Sequence, residues 1–121
     1  MTRWVEFRAY NLLPGTRDEF HRLVAEESMP LLDRHRMDVV AFGPSLNDED
    51  SYYLIRSFAS LEDRKRQEDA FYGSDEWRSG PRQAVVSRIE SMTEVVIEMD
   101  DATIDGLRAA TGHDGLLARL G

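Results

Sequence analysis

The stretch WVEFRAY, which begins at Trp4, alternates strictly between two kinds of side chain. In an extended chain Val5, Phe7 and Ala9 lie on one side, and such period-two alternation indicates a strand, here from about Arg3 to Asn11. We expect the Val5 side to contact the protein's own helices. The opposite side mixes charges with large rings and presents Trp4, Glu6, Arg8 and Tyr10.

The order of the remaining patterns predicts a ferredoxin-like fold. Helical spacing follows the first strand, with Pro30 expected to kink that helix. The other predicted elements are strands over 38–46, 51–58 and 93–99 and helices over 17–34, 61–72, 74–77 and 81–89. This succession is the βαββαβ plan, an α+β fold in which both helical segments cover one face of a four-stranded antiparallel sheet.

The second sheet face then lacks a cover. Depending on register, the third strand adds Tyr53 and Ile55, or Tyr52, Leu54 and Arg56, and the fourth strand is equally open. Either register leaves a patch larger than soluble monomers usually expose. We therefore expect a homodimer in which two open faces meet and their charges pair.

Charge and cysteine content limit the partners. The 121 residues carry a formal net charge of −8 and no cysteine. The average field repels phosphate backbones and anionic lipids, so neither nucleic acid nor a membrane is an expected partner. Without thiols or an apolar leader segment, a cytoplasmic location is expected. We predict one domain over residues 1–100 and a C-terminal extension over 101–121 of short helices, or a frayed tail.

Four quoted stretches resemble one known family. YNLLPGTRDEF, MPLLDRHRMDVVAFG, SLEDRKR and SDEWR, in this order and spacing, are similar to the NIPSNAP family between Trp4 and Met99. The resemblance implies a ferredoxin-like subunit of a dimeric α/β barrel. Its fold is similar to that of cofactor-independent monooxygenases, decarboxylases and isomerases, which keep a pocket between sheet and helices. That last step is an analogy of fold, and a fold does not fix a function.

Three residues are candidates for chemistry. His35, which the resemblance places near a pocket mouth, is a candidate acid or base. Tyr53 is a candidate orienting donor and Arg56 a candidate anion clamp, because central strands hold side chains rigidly. Ordinary structural roles are the alternative, with His35 at a helix C-terminus and the other two in cross-strand packing or ion pairing.

A ligand cavity is expected to involve Tyr10, Trp77 and Met37, although core packing explains these residues equally well. No metal-binding spacing or cofactor motif is present, so neither is expected. Two functions stay open: binding of a small apolar molecule, with possible cofactor-independent monooxygenase- or isomerase-like chemistry, or a non-catalytic dimeric interaction module. A cavity of about 300 Å3 or more favours the first. A cavity filled by Phe20, Trp77 and Val85 favours the second.

Overall fold

The computed structural model describes residues 1–113. Its strands are β1 (Thr2–Leu12), β2 (Asp38–Pro44), β3 (Ser51–Phe58) and β4 (Ile89–Asp100). Its helices are α1 (Arg17–Leu23), a π-helical turn (Val24–Ser28), α2 (Met29–Arg34), α3 (Leu61–Tyr72), α4 (Asp75–Arg78), α5 (Arg82–Val86) and α6 (Asp101–Ala110). None of the helices in this part of the chain is long and apolar enough to cross a membrane.

The strands form one antiparallel sheet in the order β2-β3-β1-β4. This is the order that the βαββαβ plan requires, and it confirms the predicted ferredoxin-like α+β fold. Helices α1 to α5 pack on what we call the inner face of the sheet, and α6 packs on the outer face.

Pro44 ends β2, an edge strand, where a missing N–H costs no ladder hydrogen bond. The β-bulge in this strand lies at Val40.

The predicted orientation of β1 is wrong. Glu6 and Arg8 face the inner layer, where Arg64 and Glu68 of α3 contact them. Val5 instead packs on the outer face against Ile104 of α6. The charges on β1 alone indicated an intermolecular surface, but α3 carries complementary charges that allow the charged face of β1 to be buried within one chain.

The first helical segment spans the predicted residues, and a π-helical turn lies directly before Pro30, where a kink was expected. Pro30 has no N–H to donate to the carbonyl four residues earlier. Just before it, the Met29 N–H donates to the Val24 carbonyl, five residues back, which closes a π-helical turn. The extra residue in this turn accommodates the proline, and α2 follows directly in the chain.

Helix α6 covers one end of the outer face. Asp100 caps the helix, accepting from the Thr103 N–H at 2.7 Å. Ile104 of α6 is almost completely buried against the sheet. Arg108 donates to the Val39 carbonyl at 2.9 Å and to both Asp38 carboxylate oxygens at 2.6 and 2.7 Å. The expectation for the last residues of the extension concerns 114–121, which lie outside the described residues.

The other end of the outer face stays open. Val95 is 59% exposed and Ile97 is 44% exposed, although both are large apolar side chains of β4. Phe7 and Tyr53 stand beside them and are only half-buried. Together with Ala9 and Val95 they line a shallow recess of about 430 Å3.

Candidate functional site

A small cavity lies between the inner sheet face and the helices. Its volume is about 50 Å3. Apolar side chains form most of the wall, including Phe20, Trp77 and Val85, and Tyr10 and Tyr72 also line it. Pockets for drug-sized ligands commonly occupy about 300–1,000 Å3. The cavity therefore holds at most a very small molecule unless a wall moves.

Next to the cavity lies a group of buried charges that we call the charge cluster: Glu6, Arg8, Arg56, Arg64 and Glu68. Glu6 and Arg56 have no exposed side-chain surface. Arg56 donates to Glu6 Oε1 from Nε at 3.1 Å and from Nη2 at 2.6 Å. Arg64 donates to Glu6 Oε2 from Nε at 2.8 Å, and Arg8 Nε lies 3.0 Å from Glu6 Oε1. One carboxylate thus receives three guanidinium groups.

The two carboxyl groups of the charge cluster differ in acidity. Burial acts to raise the pKa of Glu6, but the charges of Arg56 and Arg8 and hydrogen bonds more than offset it and lower that pKa to about 2. Burial, together with a hydrogen bond and repulsion from Glu6, raises the pKa of Glu68 to about 7. Glu6 is therefore ionised at neutral pH, whereas Glu68 lies near its titration point.

Helix α3 joins the charge cluster to the cavity. Arg64, Glu68 and Tyr72 are spaced four residues apart, so their side chains lie along one face of the helix. The Tyr72 hydroxyl accepts from Arg8 Nη1 at 3.0 Å and from Arg56 Nη1 at 2.9 Å. Its ring packs edge-on against Phe71 and Trp77.

Two further polar groups belong to the cavity wall. Burial raises the pKa of Tyr10, against the opposing charge of Arg8, so its phenol stays protonated at neutral pH. Ser28 is 5% exposed and ends the π-helical turn, and its Oγ has no hydrogen-bond partner among residues 1–113. An unpaired buried hydroxyl costs about 1–3 kcal/mol, and π-helical turns often occur at functional sites.

The structure does not bring His35, Tyr53 and Arg56 together. Tyr53 and Arg56 project from opposite faces of β3, because their positions on the strand differ by an odd number. His35 follows α2, with Nε2 3.6 Å from Glu76 Oε1 and its ring edge-on to Phe71. The three therefore do not form one site, and a chemical role for any of them stays a prediction.

Only two of the three predicted ligand residues lie at the cavity. Tyr10 and Trp77 line the cavity. Met37 is completely buried in the apolar core and is not part of the described cavity wall. In the part of the chain that the structure describes, no three His, Asp or Glu side chains are placed to hold a metal ion.

Sequence reasoning missed the part that α3 plays. The stretch EDRKRQED, which begins at Glu62, has the charge pattern typical of a solvated helix face, and this holds for Lys65, which pairs with Asp69 at 2.7 Å. Arg64 and Glu68 instead contact the sheet. The helix carries few apolar residues, and this was the available sequence signal. Since only Phe71 of α3 is buried, the helix docks on the sheet through polar contacts.

Sheet order, helix placement and an interior charge cluster define the chain as a ferredoxin-like α+β protein with a narrow cavity between sheet and helices. A model of the NIPSNAP family matches residues 5–99. The chain therefore belongs to the NIPSNAP family, and the resemblance found in the sequence is confirmed.

Solved structures show the same fold. A NIPSNAP family protein from Agrobacterium tumefaciens is 20% identical, with a TM-score of 0.74 over 82% of this chain and 87% of that one. An uncharacterized NIPSNAP domain protein from Burkholderia xenovorans is 15% identical, with a TM-score of 0.71 over 81% and 95% of the two chains. A proposed antibiotic biosynthesis monooxygenase from Bordetella bronchiseptica is 19% identical, with a TM-score of 0.62 over 84% and 98%. Comparison with curated protein sequences finds no significant match.

Proposed function

We propose that this protein is a self-associating, non-catalytic interaction module whose two copies pack the open parts of their outer sheet faces against each other. The observation that carries the proposal is the open apolar surface around Val95, which contrasts with an inner cavity of about 50 Å3. Water is a poor cover for such a surface, and a two-fold dimer buries it by using one patch twice. The cytoplasmic location stays a prediction from the absent cysteines.

The face proposed for the dimer is not the face expected from the sequence. Glu6 and Arg8 lie under the helices, so they are not available to a partner. Phe7, Tyr53 and Val95 replace them as the contact surface. The proposed interface is accordingly mainly apolar, although Thr93 and Glu94 line the same recess, and ion pairs between copies are not needed to form it.

Sedimentation velocity with Val95→Glu tests this proposal. We expect the wild-type chain to sediment as a dimer at micromolar concentration and the variant as a monomer, because a carboxylate in the centre of an apolar contact loses its hydration. Val86→Glu is the matched control, since Val86 is 42% exposed on the helical layer and should leave the dimer intact. A monomeric wild-type protein, or a dimeric Val95→Glu variant, contradicts the proposal.

A second candidate function is binding of a small apolar molecule in the inner cavity. The specific observation is an apolar wall interrupted by Tyr10, Tyr72 and the unpaired Ser28 hydroxyl. Ligand sites typically combine apolar walls with a few placed polar groups. Native mass spectrometry of protein purified from its own cells tests this function, and a retained small molecule that Trp77→Ala releases supports it.

A further inference from the structure

The oxygen of Tyr72 has its acceptor positions filled. A phenol oxygen offers two lone pairs and one proton. Arg8 and Arg56 each donate an Nη1 hydrogen to it, at 3.0 and 2.9 Å. Both guanidinium groups are fixed in turn by Glu6. The hydroxyl can therefore take part in a further hydrogen bond only as a donor.

This donor belongs to a residue of the cavity wall. Tyr72 forms part of the cavity wall, and its ring is held by Phe71 and Trp77, with ring centroids 4.9 and 5.7 Å away. Among residues 1–113, the hydrogen bonds of the Tyr72 hydroxyl are the two that it accepts. Two cationic donors on the oxygen also polarise the O–H bond, which strengthens it as a donor.

We infer that the inner cavity selects a small apolar molecule with one hydrogen-bond acceptor, such as the oxygen of a ketone or an aldehyde, and that Tyr72 donates to it. This inference rests on the second candidate function, ligand binding in the cavity. Tyr10 lies in the same wall as a protonated phenol and is the competing donor. A ligand whose polar group can only donate finds the oxygen of Tyr72 already occupied.

Two probes of equal shape test the inference. Butanone carries the acceptor, and the alkene in which a methylene group replaces its oxygen does not. We expect wild-type protein to bind butanone about tenfold more tightly than the alkene in ligand-observed NMR titrations, the size expected of one good hydrogen bond. In Tyr72→Phe the two probes should bind equally. Comparing two probes within one variant cancels any general loss of stability.

A spectroscopic readout separates donation from a merely structural role. Binding to wild-type protein should move the NMR signal of an isotope-labelled butanone carbonyl carbon downfield, and Tyr72→Phe should abolish that shift. Tyr10→Phe tests the competing donor in the same wall, and we expect it to weaken binding of both probes alike while the preference for butanone and the shift remain. If Tyr10→Phe alone abolishes them, or if wild-type protein binds the two probes equally, the inference about Tyr72 is overturned. If neither probe binds wild-type protein, the inference is overturned, whereas a small molecule retained in native mass spectrometry would still support the ligand-binding function.

Discussion

At the scale of single residues, Glu6 decides the character of the interior. It has no exposed side-chain surface and is compensated by Arg56, Arg8 and Arg64. Arg56→Met removes the guanidinium that donates twice to Glu6 Oε1 and leaves a buried carboxylate with incomplete compensation, so we expect the free energy of unfolding to fall by about 3–5 kcal/mol. Urea unfolding measures the loss. Arg66→Met, which removes an exposed pair with Asp63, should cost under about 1 kcal/mol, and equal losses would count against this account.

The raised pKa of Glu68 implies that the stability of the fold depends on pH. Its folded pKa of about 7 lies above the ordinary value of 4.5. Between these values the folded chain holds a proton that the unfolded chain has released, so the free energy of unfolding falls as pH rises through this window. Glu6 acts in the opposite direction, but only at lower pH, because its folded pKa is about 2.

The test of that dependence is Glu68→Gln, which keeps the shape of the side chain and removes the titration. From about pH 5 to about pH 8 we expect wild-type protein to lose about 2–3 kcal/mol more than the variant. Urea unfolding across this range gives both slopes. Parallel slopes for the two proteins would show that the carboxyl group of Glu68 does not titrate in this window.

At the scale of elements, the sequence determined order and bounds better than orientation. The bounds of β3 and α3 match the prediction because aromatic and β-branched residues mark the strand, and Ser60 caps the helix at 3.0 Å from the Asp63 N–H. The prediction of which face of β1 meets helices α1 to α5 was wrong, because the alternation of side chains in β1 is the same whichever face is buried. Only the partner element decides, and Arg64, Glu68 and Tyr72 of α3 lie more than fifty residues away along the chain.

The candidate site was predictable only in part for the same reason. Tyr10 and Trp77 were found because a large ring beside a turn or on a central strand is a normal constituent of a cavity wall. Tyr72 gave no such signal, since a tyrosine at the end of a charged helix is ordinary in sequence. Its role depends on two hydrogen bonds from Arg8 and Arg56, which exist only after the sheet and α3 have docked.

The docking of α6 is a separate element-scale property. Ile104 is 2% exposed and is the main apolar contact of this helix, so Ile104→Ala should cost about 2–4 kcal/mol of docking free energy. Because α6 contacts only one end of the outer face, the loss should appear as faster amide hydrogen exchange in α6, with β1 and β3 still protected. Leu46→Ala, at a fully exposed side chain, should change neither. Faster exchange throughout the sheet would indicate that α6 belongs to the global folding unit.

At the scale of the whole molecule, net charge and the open surface act against each other. Each chain carries a formal net charge of −8, so two copies repel. The surface proposed to join them is formed mainly by Phe7, Tyr53, Val95 and Ile97, and burial of such side chains is insensitive to ionic screening. Association therefore depends on an apolar contact strong enough to exceed a long-range repulsion.

This opposition predicts the salt dependence of the dimer. Raising NaCl from about 0.02 M to about 0.5 M shortens the screening length from about 20 Å to about 4 Å, which removes most of the repulsion. We therefore expect the dissociation constant measured by sedimentation equilibrium to decrease with salt, and Val95→Glu to stay monomeric throughout. An interface held by ion pairs between copies, as the sequence first indicated for the charged side of β1, would weaken over the same range. A dimer that dissociates at high salt would therefore assign the contact to charged residues and not to the open apolar face.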